Sequence, residues 1–220
     1  MNYIDQNSII ENLPVSADAR NLLGQKMGRK GRETRQKIMD AALELLKTTS
    51  YKDLSVSEIA SEAGLSNATF YVYFKDVEEV LYACVQAAAL DLGGLHEILE
   101  TEWDDANVKE QVGKFVALYN ELWEKYRIEL RVRNLEADQG NLRFLNLRIE
   151  TTRELLQKLG KKLAQMNPEL ENPYQIALAI HAAMGALAAQ HDIGISSATR
   201  QTRKKLNAGV VEMICTILKH

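Results

Sequence analysis

The 220-residue sequence is short of breakers and of reactive side chains, with 3 prolines, 2 cysteines, 4 histidines and 2 tryptophans. Few turn-makers means few interruptions to regular structure. Cys84 and Cys215 lie far apart inside helical patterns and make neither a CxxC nor a metal-like spacing, so reduced, cytoplasmic thiols are expected. No run of about 18 uncharged apolar residues occurs, so no membrane span is expected. The opening residues MNYIDQNSIIENL lack the basic start and apolar core of a secretory signal. Also missing are GxSxG, HExxH, GxGxxG and the P-loop, and no Ser/Cys–His pair is signalled locally. The chain is therefore not read as an enzyme, and no catalytic residue, metal or cofactor is expected. A net charge of −3 excludes a generally basic surface, so any nucleic-acid contact must be local.

Charge is nevertheless uneven. Between Arg20 and Lys37, seven basic residues (Arg20, Lys26, Arg29, Lys30, Arg32, Arg35, Lys37) stand against one acid, Glu33, a local net of +6. Such a run alone reads first as a solvated tail. It becomes a phosphate-seeking arm only where a DNA-reading element follows. Residues 1–31 contain Pro14, Gly24, Gly28 and Gly31 and little sustained period, which predicts a flexible basic N-terminal arm.

Beyond the arm the period is helical. Ile38, Ala41, Ala42, Leu45 and Leu46 follow i, i+3, i+4, i+7 and predict a helix from Arg32 to about Thr49. Further helices are predicted over about 56–63, 67–74, 77–100, 106–126, 128–138, 141–166, 173–193 and 199–219. The breaks fall at TEWDDAN, DQGN, NPELENP and GISSAT, all rich in turn and cap residues. With no strand alternation and no internal repeat, the fold class is all-α.

The stretch LSVSEIASEAGLSNATFYVYFKD, residues 54–76, is the most informative. Ser55 and Glu58 have capping-box spacing, Gly64 suits a left-handed helix end, and Ser66 caps a helix only about two turns long. Phe70 and Phe74 share one face and are expected in the core. A two-turn helix is unstable alone, so its neighbours must hold it as a presented element. Helix, Gly-containing turn and short helix is the helix-turn-helix layout. The side left outward carries Asn67, Ala68, Thr69, Tyr71, Val72 and Tyr73. Asn can read adenine, small apolar groups can touch a thymine methyl, and hydroxyls and helix N-terminal amides can bond phosphates. The plainer reading is a three-helix packing unit with a polar side in water. The basic run, the two-turn length and the two tyrosines favour DNA.

From Arg35 through QKIMDAALELLKTTSYKDLSVSEIASEAGLSNATFYVYFKDVEEVLYACV, about a quarter of the chain, the sequence resembles the N-terminal domain of the tetracycline-repressor (TetR) family of bacterial transcription regulators. The resemblance implies DNA contacts from Ser57 and the 67–75 segment, with Thr69 and Tyr71 near bases or backbone and Tyr73 and Lys75 on phosphates. The full expected contact set is Ser55, Ser57, Ser66, Asn67, Ala68, Thr69, Tyr71, Tyr73 and Lys75. Three positions depart from the family pattern: Ser50 stands for a usual Gly, Ala68 for a frequent Gly or Pro, and Val77 for a usual Lys. Lys75 is expected to replace that last contact in part.

The resemblance divides the chain into the arm (1–31), a helix-turn-helix domain (32–78) and a helical ligand-binding and dimerisation domain (79–220). It implies a homodimer on a palindromic operator in double-stranded DNA, released by a small hydrophobic ligand. The stretch YQIALAIHAAMGALAAQ is apolar all round, which predicts burial on every side. Self-association through it and the last helix, LNAGVVEMICTIL, is expected, with a monomer core as the alternative. Trp103, Phe115, Tyr119, Trp123, Tyr126, Phe144, His181 and Met184 are candidates to line an apolar pocket, or to be ordinary core. His191 and Asp192 lack further ligands for a metal, and Cys84 lacks a basic neighbour to activate it. Arg131, Arg133, Arg143 and Arg148 could bind an anionic ligand or pair with Glu136 and Glu150, and surface ion pairing is the expectation. The functional expectation is a cytoplasmic, ligand-responsive repressor. An all-α ligand carrier or interaction module without sequence-specific DNA binding is the alternative.

Overall fold

The computed structural model describes residues 20–89, 92–190 and 199–218. His191 and Asp192 lie outside them, as does most of the predicted arm. Among the described residues there are ten α-helices and no strand, the only extended pairing being a bridge between Arg20 and Lys26. The all-α class holds. None of the helices is long and apolar enough to cross a membrane.

Two compact units form. The first takes the described residues up to Ala89 together with Ile128–Leu145, and the second takes 92–127 and the described residues from Asn146 on. In the first unit, α1 (Arg29–Leu45) packs on α2 (Val56–Glu62) and α4 (Val77–Ala88), while α2 packs on α3 (Asn67–Tyr73). Ile38, Ala42, Ile59, Ala60, Phe70, Phe74 and Val80 are buried at its centre. The alanines keep the helix crossings close, and the phenylalanines fill the space beneath α3. Helix α7 (Arg127–Asp138) begins at the edge of this unit, and α8 (Leu142–Met166) starts in it.

In the second unit, α6 (Val108–Lys125) packs against α5 (Gly93–Glu100), α9 (Pro173–Gln190) and α10 (Thr199–Leu218), and α9 also meets α10. A Cβ on Gly160 would stand 3.1 Å from the Tyr174 Cα, so α8 approaches the start of α9 closely and a side chain there would press the α9 backbone back by a few tenths of an ångström.

Four expectations need correction. Helix α1 starts at Arg29 instead of Arg32 and stops at Leu45; its start is set where Arg32 N–H bonds the Gly28 carbonyl at 3.1 Å. The single helix predicted over 77–100 is two, α4 and α5, the second opening at the Gly93–Gly94 pair, whose backbone freedom disfavours helix continuation. Helix α9 is not covered all round by the described residues of one copy. Ala177, Ile180, Met184 and Ala188 are buried, but Leu178, Ala179, Ala182 and Ala186 are exposed, because α6 and α10 pack on one side only. The expected surface pairing of the arginines also fails in part. Arg133 and Glu136 are buried, and Arg143 stacks 3.7 Å from the Tyr82 ring centroid and reaches Glu79 at 3.1 Å.

Candidate nucleic-acid interface

Helix α2 is closed at both ends by local chemistry. The Ser55 hydroxyl accepts from Glu58 N–H at 3.3 Å, and the Glu58 carboxylate accepts from Ser55 N–H at 2.9 Å, a complete capping box. The Ser55 hydroxyl, donating to the same carboxylate at 2.6 Å, and next the Ser55 N–H hold the Glu58 carboxyl below its ordinary range. At the other end Gly64 has φ +67°, and Leu65 N–H reaches the Ala60 carbonyl at 2.8 Å while Gly64 N–H reaches the Ser61 carbonyl at 3.0 Å. This is the left-handed termination that reverses a chain in one residue. Two residues later Ser66 caps α3, accepting from Thr69 N–H at 3.1 Å. The turn between α2 and α3 is thus closed by the Gly64 backbone conformation, two backbone bonds and the Ser66 side chain.

Only Phe70 within α3, and Phe74 just after it, are buried. Their rings lie 6.0 Å apart, with the Arg35 guanidinium 4.8 Å over Phe74. Asn67, Ala68 and Tyr71 are exposed, Thr69, Val72 and Tyr73 half-buried, and Ser55, Ser57, Ser66 and Lys75 exposed. All nine expected contact residues therefore lie on α2, α3 and their flanks, and none is in the core. Ser55 and Ser66 also act as caps, and Thr69 shares a 2.9 Å hydroxyl contact with Ser66. Lys75 lies 3.7 Å from Glu79 and 4.0 Å from Asp76, over the start of α4. Asp76 caps α4 by accepting from Glu79 N–H at 2.8 Å, but the Glu79 carboxylate turns to Arg143 instead of closing a second capping box.

The basic run does not act as one element. Arg20, Lys26, Arg29, Lys30 and Lys37 are exposed. Arg32 and Arg35 turn inward: Arg32 donates to the Met27 carbonyl at 2.8 Å, and Arg35 lies on Phe74. Residues 20–28, expected within the flexible arm, are folded in a hydrogen-bonded turn around Asn21. Asn21 and Gly24 are turn-forming types three residues apart, but nothing local in the sequence signals that this turn docks.

The pocket candidates divide between the units. Phe144 belongs to the first, its ring edge-on to Tyr82 at 5.4 Å. The other seven belong to the second. Trp103 donates to the Ile98 carbonyl at 3.0 Å, with Lys162 5.6 Å over its ring. Phe115, Tyr119, Trp123 and Met184 are buried, and His181 and Tyr126 are half-buried. The Tyr119 and His181 rings meet edge-on at 5.6 Å, with the phenol oxygen 3.4 Å from Nδ1. A Cβ on Gly185 would stand 3.3 Å from that oxygen and 3.8 Å from the Trp123 ring. Among the described residues the Trp123 indole N–H is buried without an acceptor, and Gln111 Oε1 and the ring nitrogen His96 Nε2 are buried without partners. Cys84 is buried and free, and burial pushes its thiol up, away from reactivity.

Known proteins share this fold. Residues 38–84 match the family described as bacterial regulatory proteins, tetR family. Over 106 residues the chain is 30% identical to the fatty acid metabolism regulator protein of Bacillus subtilis (strain 168), covering 48% of this chain and 53% of that one. Over 61 residues it is 36% identical to an uncharacterised helix-turn-helix regulator, TtgW, of Pseudomonas putida, covering 28% of this chain and 46% of that one. The chain thus spans about half the length of the curated relatives it matches. Among solved structures, a tetR-family regulator from Streptomyces coelicolor superposes with a TM-score of 0.65 at 18% identity, covering 87% of this chain and 82% of that one. The fatty acid degradation regulator FadR of Bacillus halodurans gives 0.62 at 20%, covering 89% and 97%. FadR of Bacillus subtilis, solved in complex with stearoyl-CoA, gives 0.60 at 20%, covering 81% and 96%.

Proposed function

We propose that the chain, whose residues 38–84 match the tetR family, is a dimeric transcriptional repressor of that family, released from its operator by a small hydrophobic ligand. The observation that carries this is the two-sided α3: Phe70 and Phe74 hold it from beneath, and Asn67, Ala68 and Tyr71 stand outward from it. Seated in a major groove, Asn67 offers the donor and acceptor pair that reads adenine. Ala68 and the Thr69 methyl suit thymine, and Tyr73, Ser57 and Lys75 suit phosphate.

The uncovered side of α9, Leu178, Ala179, Ala182 and Ala186, with Met213 on α10, supports pairing of two copies through the last two helices. Small residues let helices approach closely, and a two-fold dimer matches half-sites about one helical turn apart. The ligand reading is supported by the Trp123 N–H in the second unit, buried and without an acceptor among the described residues. An apolar molecule with one well-placed acceptor would satisfy it. The fatty-acid regulators among the relatives make long-chain acyl thioesters the first class to try. No chemical step is involved, and the protein acts where the chromosome is, in the bacterial cytoplasm. To empty the operator the ligand must favour the released state strongly: moving a two-state equilibrium from 1:99 to 99:1 takes about 5.5 kcal/mol of differential binding.

The test is selection of duplexes from a random pool by the full-length protein, followed by challenge with stearoyl-CoA and with triclosan, the latter found in complex with the similarly folded SmeT. The expected result is a two-fold symmetric consensus and release by one ligand. Enrichment of no duplex, with tight binding of a ligand, would instead make the protein a carrier.

A further inference from the structure

Residues 20–28 are a built turn. The Asn21 side-chain oxygen accepts from Leu23 N–H at 3.0 Å and Gln25 N–H at 2.9 Å, and Gly24, at φ +75°, bonds back to the Asn21 carbonyl at 2.9 Å. Two anchors fix this turn to the helix-turn-helix. Leu22 N–H donates to the Val72 carbonyl at 3.0 Å, satisfying one of the carbonyls that the end of α3 leaves open. Met27 is buried, its carbonyl accepts from Arg32, and a Cβ on neighbouring Gly31 would stand 3.4 Å from the Met27 side chain and 3.7 Å from the Tyr73 hydroxyl. The turn therefore stays beside the last turn of the reading helix.

Its outer surface combines charge and apolar area. Arg20, Lys26, Arg29 and Lys30 are exposed, Arg20 also donating to the Gly24 carbonyl at 2.6 Å and Arg29 pairing with Glu33 at 3.1 Å, and Leu22 and Leu23 are 53% and 65% exposed. We infer that this turn is a second, preformed element of the DNA interface, taking the sugar-phosphate backbone beside the groove that α3 enters. The inference rests on the DNA-binding reading of α3. The cations suit phosphates, and the two leucines suit the apolar faces of deoxyribose. Charge complementarity and direct hydrogen-bonded continuity with α3 favour this occupant over a protein or residues 1–19.

The test uses the full-length protein on its selected duplex, reading the salt dependence of affinity and the hydroxyl-radical footprint. Two variants are compared with wild type: Arg20→Ala/Lys30→Ala, which removes exposed charge, and Leu22→Pro, which removes the N–H that docks the turn. In the first, the slope of log K against log salt becomes shallower by about 0.9 for each phosphate no longer neutralised. In both, backbone protections disappear while the base preference stays. Retention of slope and footprint by Arg20→Ala/Lys30→Ala, with Tyr71→Ala still impairing binding, overturns the inference and leaves the repressor reading standing. A wild-type protein that binds no duplex removes both. Should Leu22→Pro unfold on thermal melting, the charge variant alone decides.

Discussion

At the scale of residues, what matters is where each side chain of a short helix points. Phe70 is fully buried, while Tyr71, next in sequence and edge-on to it at 5.6 Å, is 51% exposed. Truncating the first removes core volume, which costs about 3–5 kcal/mol for a buried Phe; truncating the second leaves the fold nearly untouched, since exposed sites stay within about 0.5 kcal/mol. Burial also sets a pH response. Desolvation raises the Glu129 carboxyl above its ordinary range, so the folded state favours its neutral form. Its contribution to stability is therefore fullest below the unfolded carboxylate pKa and is lost as pH rises through the folded value. Glu129→Gln is expected to raise Tm at pH 7, with the gain shrinking as pH falls toward about 4. Thermal melts at both pH values check this, and a lower Tm at pH 7 contradicts it.

At the scale of elements, the helix-turn-helix is held together by its ends. Gly64 has φ +67° and nothing within 4 Å of where a Cβ would sit. Gly64→Ala therefore meets no clash and carries only the left-handed backbone cost, about 1–2 kcal/mol. Denaturant unfolding measures it, and a neutral result would mean that the turn does not need glycine. These ends are legible in the sequence because they are local: Ser55 with Glu58, Gly64, and Ser66 with Thr69 all act within four residues. The Phe70 and Phe74 face is legible for the same reason, as a four-residue spacing. Features made by distant parts of the chain are not. The bond from Leu22 to the Val72 carbonyl joins segments far apart in the chain and has no sequence signature, so residues 20–28 read as arm. The stacking of Arg143 on Tyr82 and the separation of Phe144 from the other aromatic candidates are likewise set by packing between elements. The open side of α9 escapes the sequence because periodicity reports which residues are apolar, not which neighbour covers them.

At the scale of the whole molecule, repression as proposed needs two copies. Leu178 is 47% exposed on a helix whose other exposed residues include Ala179, Ala182 and Ala186. A charge placed there cannot be desolvated cheaply at a helix-helix contact, so Leu178→Asp is expected to give a monomer in light scattering while its helicity by circular dichroism stays unchanged. A dimer that survives this substitution would put the interface elsewhere. The central claim, that α3 is propped outward to lie along DNA, is tested most directly by titrating the selected duplex with wild type and Tyr71→Ala over a range of salt. The expected result is a wild-type affinity that falls steeply and linearly in log K against log salt, and at least roughly tenfold weaker binding by Tyr71→Ala, about the 1.4 kcal/mol of one good contact, with an unchanged Tm. Equal affinity of the two proteins, or no dependence on salt, would contradict it.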